Sequence, residues 1–102
     1  FVNFTASWCI TCKVNEVTAL RTQKVKSAFQ SEGITYFVAD WSNEDPNITE
    51  ALESYGRAGV PLYLLFEKGS SKPTVLPQIL TEDIVLSALD KIGASQLPKS
   101  NP

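Results

Sequence analysis

The two cysteines of the chain, Cys9 and Cys12, are three positions apart and carry its most specific chemistry. Residues three apart on a helix share one face at about 5–6 Å, and a disulfide needs Cα atoms about 4.4–6.8 Å apart. A helix beginning here would place Cys9 at its positive end, where unpaired N–H groups favour the reactive thiolate. Cys12 would lie one turn deeper and resolve a mixed disulfide. The spacing therefore predicts a redox pair with Cys9 as the attacking thiol.

Two other roles for the cysteines stay open at this point. One is a structural disulfide, although a ring of about four residues constrains the unfolded chain very little. The other is half of a metal site, although structural zinc takes four Cys or His ligands, and the chain has two cysteines and no histidine. The lack of histidine also excludes Ser-His-Asp and Cys-His catalysis. We expect neither a metal nor an organic cofactor.

Composition is typical of one globular domain. The chain has 102 residues, 43% of them hydrophobic, and a net charge of −2. A nucleic-acid-binding domain would show a basic excess or a basic face, and no apolar run approaches the about 20 residues of a membrane helix. The chain contains no Met, and it starts inside an apolar run. We therefore expect it to be a fragment of a longer protein.

Apolar and β-branched runs predict four strands that would position the cysteines. They are expected at about 1–6, 34–41, 61–67 and 74–79. The first three would be buried and, because helices join them, parallel. Pro77 cannot donate to a strand ladder, so the fourth strand is expected at a sheet edge. A hairpin turn over 68–72 would join the last two strands.

Helical periodicity predicts three helices between and after these strands, over about 9–29, 47–55 and 81–92. Thr81 would cap the last of them. The first helix would bury one apolar stripe and break near Thr22; the stripe comprises Val14, Val17, Leu20, Val25 and Phe29. The predicted order is β-α-β-α-β-β-α, an α/β fold around one four-stranded mixed sheet. The domain is expected to cover residues 1–93, followed by a flexible tail over 94–102.

Several of these residues together resemble the thioredoxin-fold oxidoreductases. The resemblance lies in Trp8-Cys9-x-x-Cys12-Lys13 after the strand FVNFTAS, and in Gly59-Val60-Pro61 before the third strand. Within that superfamily, F-x-A-S-W-C-x-x-C-K and the GVPLYLLF strand are most similar to the C-terminal periplasmic domains of the DsbD family, bacterial transmembrane thiol-disulfide interchange proteins. The resemblance covers about residues 1–93 and implies a thioredoxin-like fold that lacks the usual first strand and helix.

The resemblance also implies roles for individual residues. Cys9 would attack or be attacked by partners, and Cys12 would resolve the mixed disulfide. Pro61 is expected to be cis beside the disulfide, with Val60 presenting its backbone to an extended partner chain. Trp8 taken alone would be a packing residue, but its position directly before the pair, at a strand-to-helix junction, indicates a partner-docking surface.

The sequence departs from the family pattern at Asn3. Many thioredoxin-like proteins have a buried Asp six residues before the first cysteine, and an amide cannot move protons as a carboxylate can. Glu16 lies four residues after Cys12 and would share its helical face. It is either a solvated surface acid or a partly buried carboxylate that raises the pKa of the cysteines.

The implied activity is reductive thiol–disulfide exchange through a mixed disulfide. The membrane-embedded part of the same parent protein would reduce Cys9–Cys12, and the domain would pass the electrons to other thioredoxin-like domains in the periplasm. We expect the domain itself to be soluble and monomeric, within an inner-membrane protein, with no nucleic-acid partner. A soluble thioredoxin-like reductase or oxidase and a non-catalytic binding module with an inert cysteine pair remain alternatives.

Overall fold

A computed structural model describes residues 1–67 and 71–96 of the chain, without the side chains of 92–96. The elements are β1 (Val2–Thr5), α1 (Ile10–Asn15), a π-helical segment (Glu16–Leu20), α2 (Gln23–Ser31), β2 (Phe37–Asp40), α3 (Pro46–Ser54), β3 (Leu62–Leu65), β4 (Thr74–Val75) and α4 (Glu82–Gln96). The predicted element order is confirmed, with the first predicted helix built from three pieces. Within the described residues, no helix is both long and apolar enough to cross a membrane.

The four strands form one mixed sheet in the order β2-β1-β3-β4. β1 is parallel to β2, whereas β3 is antiparallel to both β1 and β4. The expectation that the first three strands are all parallel is therefore wrong. β2 ends with Asp40 opposite Thr5, and β3 begins with Leu62 opposite Phe4. The chain thus leaves and re-enters the sheet at the same end, so the short helix α3 does not have to return it along the sheet.

The sheet is covered on both faces, and β3 contributes to both layers through the period of two in a strand. Tyr63 and Leu65 belong to a cluster on the side of α2 and α4, which also contains Leu20, Val25, Phe29, Val85 and Leu89. Leu62 and Leu64 belong to the other cluster, with Phe4, Trp41 and Leu52. The strand that follows Val60 and Pro61 is therefore packed on both faces.

The helical region after Cys9 breaks near the expected position. The Arg21 N–H donates to the Glu16 carbonyl at 2.7 Å, which closes the wider π turn. Thr22 then begins α2, because its side chain accepts the Val25 N–H at 3.3 Å.

The buried face of α1 and the π-helical segment differs from the predicted one. Val14 is 52% and Val17 64% exposed, so their expected burial is wrong. Cys12, Asn15 and Ala19 are buried instead, which puts polar groups on the inner face and β-branched groups on the outer face. Hydrogen bonds formed by the inner polar groups, described below, offset the cost of burying them.

The edge strands differ from expectation in length and burial. The predicted second strand is neither as long nor as buried as expected: β2 is an outer strand, and Phe37 is 60% and Val38 56% exposed. β4 lies at the other edge, as predicted, but ends at Val75, so that Pro77 lies beyond the ladder. Residues 68–70 of the expected hairpin turn lie outside the described residues.

The last helix begins as expected. The Ile84 N–H donates to the Thr81 side chain at 3.1 Å, and Val85 and Leu89 are buried. α4 extends to Gln96, beyond position 93, where we expected the domain to end. The Ile92 side chain and residues 97–102 of the expected tail lie outside the description.

Candidate redox site

Cys9 and Cys12 are joined in a disulfide, with their Cα atoms 5.3 Å apart. The chain turns directly from β1 into α1, because the Cys9 N–H donates to the Ala6 carbonyl at 3.1 Å. Cys9 is the N-cap of α1, and its Sγ accepts the Cys12 N–H at 3.2 Å. Cys9 is 8% exposed and Cys12 is fully buried, at 0%. A partner therefore reaches the sulfur of Cys9 before that of Cys12.

The segment before β3 lies against the disulfide. The Val60–Pro61 peptide bond is cis, as expected. Val60 packs on the cluster formed by Ala6, Cys9 and Cys12. The Arg57 guanidinium donates to the Pro61 carbonyl at 3.1 Å and so ties the preceding loop to the same place.

Trp8 is held by the loop that follows β2. Its indole N–H donates to the Ser42 carbonyl at 3.0 Å, and its ring centroid is 5.7 Å from that of Trp41. The Ser7 N–H donates to the Ser42 hydroxyl at 2.8 Å. Ser42 in turn donates to the Asp40 carboxylate, and these hydrogen bonds lower the pKa of Asp40. Trp8 is 52% exposed, so an oriented aromatic surface borders Cys9.

Trp41 connects that surface to the loop before β3. The ring is buried, and its N–H donates to Thr49 at 2.7 Å. A Cβ added at Gly59 would lie 3.3 Å from the Trp41 ring, tighter than most such contacts, so a residue without a side chain suits this approach. The segments after β1, after β2 and before β3 thus meet at one end of the sheet.

Glu16 lies in a polar network rather than in open solvent. Its Oε2 accepts from the Thr5 hydroxyl at 2.9 Å and from the Asn3 amide at 3.3 Å, and its Oε1 is 3.4 Å from Arg21. The Glu16 side chain is 14% exposed. The carboxylate is therefore partly buried rather than a solvated surface acid, and its effect on the pKa of the cysteines stays a prediction.

The same network extends from Asn3 to Tyr36. The Asn3 amide also donates to the Tyr36 hydroxyl, at 2.8 Å. Burial raises the pKa of Tyr36, and the hydrogen bond from Asn3 opposes that rise. Asn3 is 1% exposed, and its Oδ1 is the one buried side-chain N or O atom in the described residues without a hydrogen-bond partner.

A cavity of about 480 Å³ lies beside the network, between the π-helical segment, α2 and β2. Its polar wall includes Asn3, Thr5, Glu16 and Tyr36. Leu20 and Phe29 contribute apolar wall.

Asn15 is a buried polar residue that sequence reasoning missed. Its amide donates to the Tyr63 hydroxyl at 2.8 Å and to the Gln78 carbonyl at 2.7 Å, and its Oδ1 accepts the Leu80 N–H at 3.0 Å. Burial raises the pKa of Tyr63 to about 12. Asn15 therefore joins the helix that carries Cys12 to the strand that follows Pro61. The available signal was its spacing, three residues after Cys12 on one helical face.

The arrangement is suited to dithiol–disulfide exchange. It contains a formed disulfide, unequal access to its two sulfurs, and an exposed surface at which a partner can approach. Across residues 1–67 and 71–96, no group of three or more His, Cys, Asp or Glu side chains is arranged to hold a metal ion.

Comparison with known proteins agrees with this geometry. A family model described as Thioredoxin-like matches residues 1–68. The crystal structure of the Neisseria meningitidis DsbD c-terminal domain in the oxidised form is similar, with 26% identity and a TM-score of 0.69 over 88% of this chain and 76% of that one. The reduced form gives 26% identity and a TM-score of 0.67 over the same shares. No curated protein matches the chain in sequence.

Proposed function

The chain belongs to the thioredoxin-like family, and from that membership we propose that it is a thiol–disulfide oxidoreductase domain that exchanges electrons through Cys9 and Cys12. One observation carries the proposal: the two cysteines form a disulfide whose first sulfur is the more accessible and whose second is buried. A purely structural disulfide of this span would stabilise the fold very little.

The reaction follows from the unequal access. In the reduced domain, the Cys9 thiolate attacks one sulfur of a partner disulfide, which forms a mixed disulfide and releases the first partner thiolate. The Cys12 thiolate then attacks Sγ of Cys9 and releases the second partner thiolate. The partner gains two electrons and, after protonation, two thiols, while Cys9 and Cys12 form a disulfide. The reverse sequence of bonds reduces the domain again.

The physiological role we propose is an electron relay outside the cytoplasmic membrane. A membrane-embedded part of the same parent protein would reduce the pair, and the domain would pass the electrons to other thioredoxin-like proteins of the periplasm. Support comes from the similarity to the DsbD c-terminal domain, which is known in both oxidised and reduced forms.

Two cysteine variants test the exchange chemistry. Cys12→Ser should accumulate a mixed disulfide with an oxidised protein substrate, because no resolving thiol remains, whereas Cys9→Ser should not. The mixed disulfide is measured by non-reducing electrophoresis and mass spectrometry. Equal trapping by both variants would contradict the assignment of Cys9 as the attacking thiol.

An insulin assay tests whether the pair is active at all. The wild-type chain should accelerate the reduction of insulin by dithiothreitol, followed as turbidity, and Cys9→Ser should remove the acceleration. A wild-type chain that gives no acceleration would indicate a binding module with an inert pair.

A further inference from the structure

The outer face of α1 and the π-helical segment is apolar where a surface helix is normally polar. Ile10 is 78%, Val14 52% and Val17 64% exposed. Their spacing of four and then three residues places them in one row along the helix surface. We call these three residues the outer stripe.

The fold gives no reason for the outer stripe. The inner face of the same helix is occupied by Cys12, Asn15 and Glu16, whose hydrogen bonds and disulfide fix the orientation of the helix. Single exposed apolar side chains are ordinary on a protein surface, but a contiguous row of them marks an interaction site.

The outer stripe begins at the redox pair. Ile10 directly follows Cys9 and Trp8 directly precedes it, and both are more than half exposed. These two exposed side chains flank Cys9 in the chain, and Cys9 itself is only 8% exposed. The stripe continues the same contact surface about 10 Å further along the helix.

The charges of the helical region that carries the outer stripe restrict the partner. The exposed charged residues in the helical region 10–31 are all basic, namely Lys13, Arg21, Lys24 and Lys26, although the chain has a net charge of −2. The single acid of this region, Glu16, points inward. A partner surface that fits is apolar with an acidic rim, since complementary charge steers association and fixes orientation.

We propose that the outer stripe is the docking surface for the thioredoxin-like protein that exchanges disulfides with Cys9, and that it gives the domain selectivity for protein over small-molecule disulfides. The proposal rests on the proposed function, because it assigns a partner surface to that reaction. Ile10 and Trp8 lie next to the chemistry, whereas Val14 and Val17 extend the contact beyond it.

The test compares two disulfide probes with one double variant. Val14→Gln/Val17→Gln removes the apolar surface while keeping a good helix former at both positions. The probes are oxidised thioredoxin and the small disulfide 5,5′-dithiobis(2-nitrobenzoic acid), each mixed with the reduced domain in a stopped-flow instrument. We expect the second-order rate constant with thioredoxin to fall about tenfold, the size expected for half-burial of two valines, and the rate with the small disulfide to stay within about twofold.

Val75→Gln is the matched control, because Val75 is similarly exposed, at 44%, but lies on β4. It should leave both rates unchanged. An unchanged thioredoxin rate in the double variant, or an equal loss in Val75→Gln, would overturn the docking proposal. A wild-type domain that reacts with neither probe would instead overturn the proposed function. Circular dichroism of each variant establishes that the fold is retained.

Discussion

Asn3 and Asn15 are equally buried, at 1% exposed each, yet their surroundings differ. Asn15 uses both amide hydrogens and its oxygen, all on neutral groups of β3 and the segment before α4. Asn3 uses its amide hydrogens on the Glu16 carboxylate and the Tyr36 hydroxyl, and its oxygen has no partner. Asn3 also lines the cavity, and Asn15 does not.

The difference indicates that Asn15 has a structural role and that Asn3 belongs to a network that can change its hydrogen bonds. A fully satisfied buried polar group fixes one arrangement of the elements around it. A partly satisfied group joined to a carboxylate and a phenol can change its hydrogen bonds when a neighbour changes charge. We infer that Asn15 holds the helix of the redox pair against β3, whereas Asn3 belongs to a network whose hydrogen bonds can rearrange.

The largest expected difference between the two asparagines is in their contributions to the free energy of unfolding. Asn15→Leu should lower the free energy of unfolding by about 3 kcal/mol, because it leaves the Tyr63 hydroxyl and the Leu80 N–H buried without partners. Asn3→Leu, the matched variant, should cost about half as much, since Glu16 keeps its contacts with Thr5 and Arg21. Urea denaturation measures both. If Asn3→Leu lowered the free energy of unfolding as much as Asn15→Leu, the two asparagines would have the same structural role and the comparison would fail.

The next largest expected effect concerns Tyr63, the hydrogen-bond partner of Asn15, and the change in the free energy of unfolding at alkaline pH. A tyrosine in the unfolded chain has a pKa of about 10, but burial raises the pKa of Tyr63 to about 12. Above pH 10 the unfolded state loses a proton that the native state retains. The contribution of protonated Tyr63 to the free energy of unfolding is therefore complete below pH 10 and is lost as the pH rises towards 12. The free energy of unfolding should fall by on the order of 2 kcal/mol for this reason.

Tyr63→Phe separates this contribution from other alkaline effects. The variant should be less stable than the wild type at pH 8, because Asn15 loses a hydrogen-bond partner. The difference in the free energy of unfolding between the variant and the wild type should become smaller between pH 10 and 12. Urea denaturation at each pH measures it. A constant difference over that range would show that Tyr63 ionises normally in the folded chain.

The smallest expected effect comes from a variant in the polar network that contains Asn3. Glu16→Gln removes a negative charge from the network while keeping a group that can accept from Thr5 and Asn3. Because Glu16 directly follows the helix that carries Cys12 and a carboxylate disfavours a further negative charge nearby, the variant should lower the pKa of Cys9 in the reduced domain. The rate of iodoacetamide alkylation as a function of pH measures it.

Glu53→Gln is the control for that titration, since it removes the same charge from an exposed position on α3. Its alkylation curve should match that of the wild type. Superimposed curves for the wild type and Glu16→Gln would mean that the network has no part in the cysteine chemistry.

Local sequence signals predicted much of the fold and the redox pair. The cysteine spacing, the Thr81 cap and the break at Thr22 depend on residues within a few positions of one another. The element order followed from apolar periodicity. For Glu16, helical spacing left both a solvated surface position and a partly buried position open, and the structure shows the partly buried one.

What the sequence did not predict depends on contacts between distant residues. Asn15 meets its partners 48 to 65 positions away, and nothing near Asn15 indicates them. Val14 and Val17 were expected inside because apolar spacing normally marks the core face. Here the partners of Asn15 and Glu16 orient the helix instead. The direction of β3 depends on the end at which the chain re-enters the sheet, which periodicity does not encode.

The packing of Trp8 on Trp41 has an optical consequence. These are the two tryptophans of the chain, their ring centroids are 5.7 Å apart, and Trp8 is adjacent to Cys9. A disulfide accepts an electron from an excited indole far more readily than a pair of thiols does. The tryptophan emission of the whole chain therefore originates beside its redox pair, so that the native protein carries its own fluorophore for following electron transfer in real time.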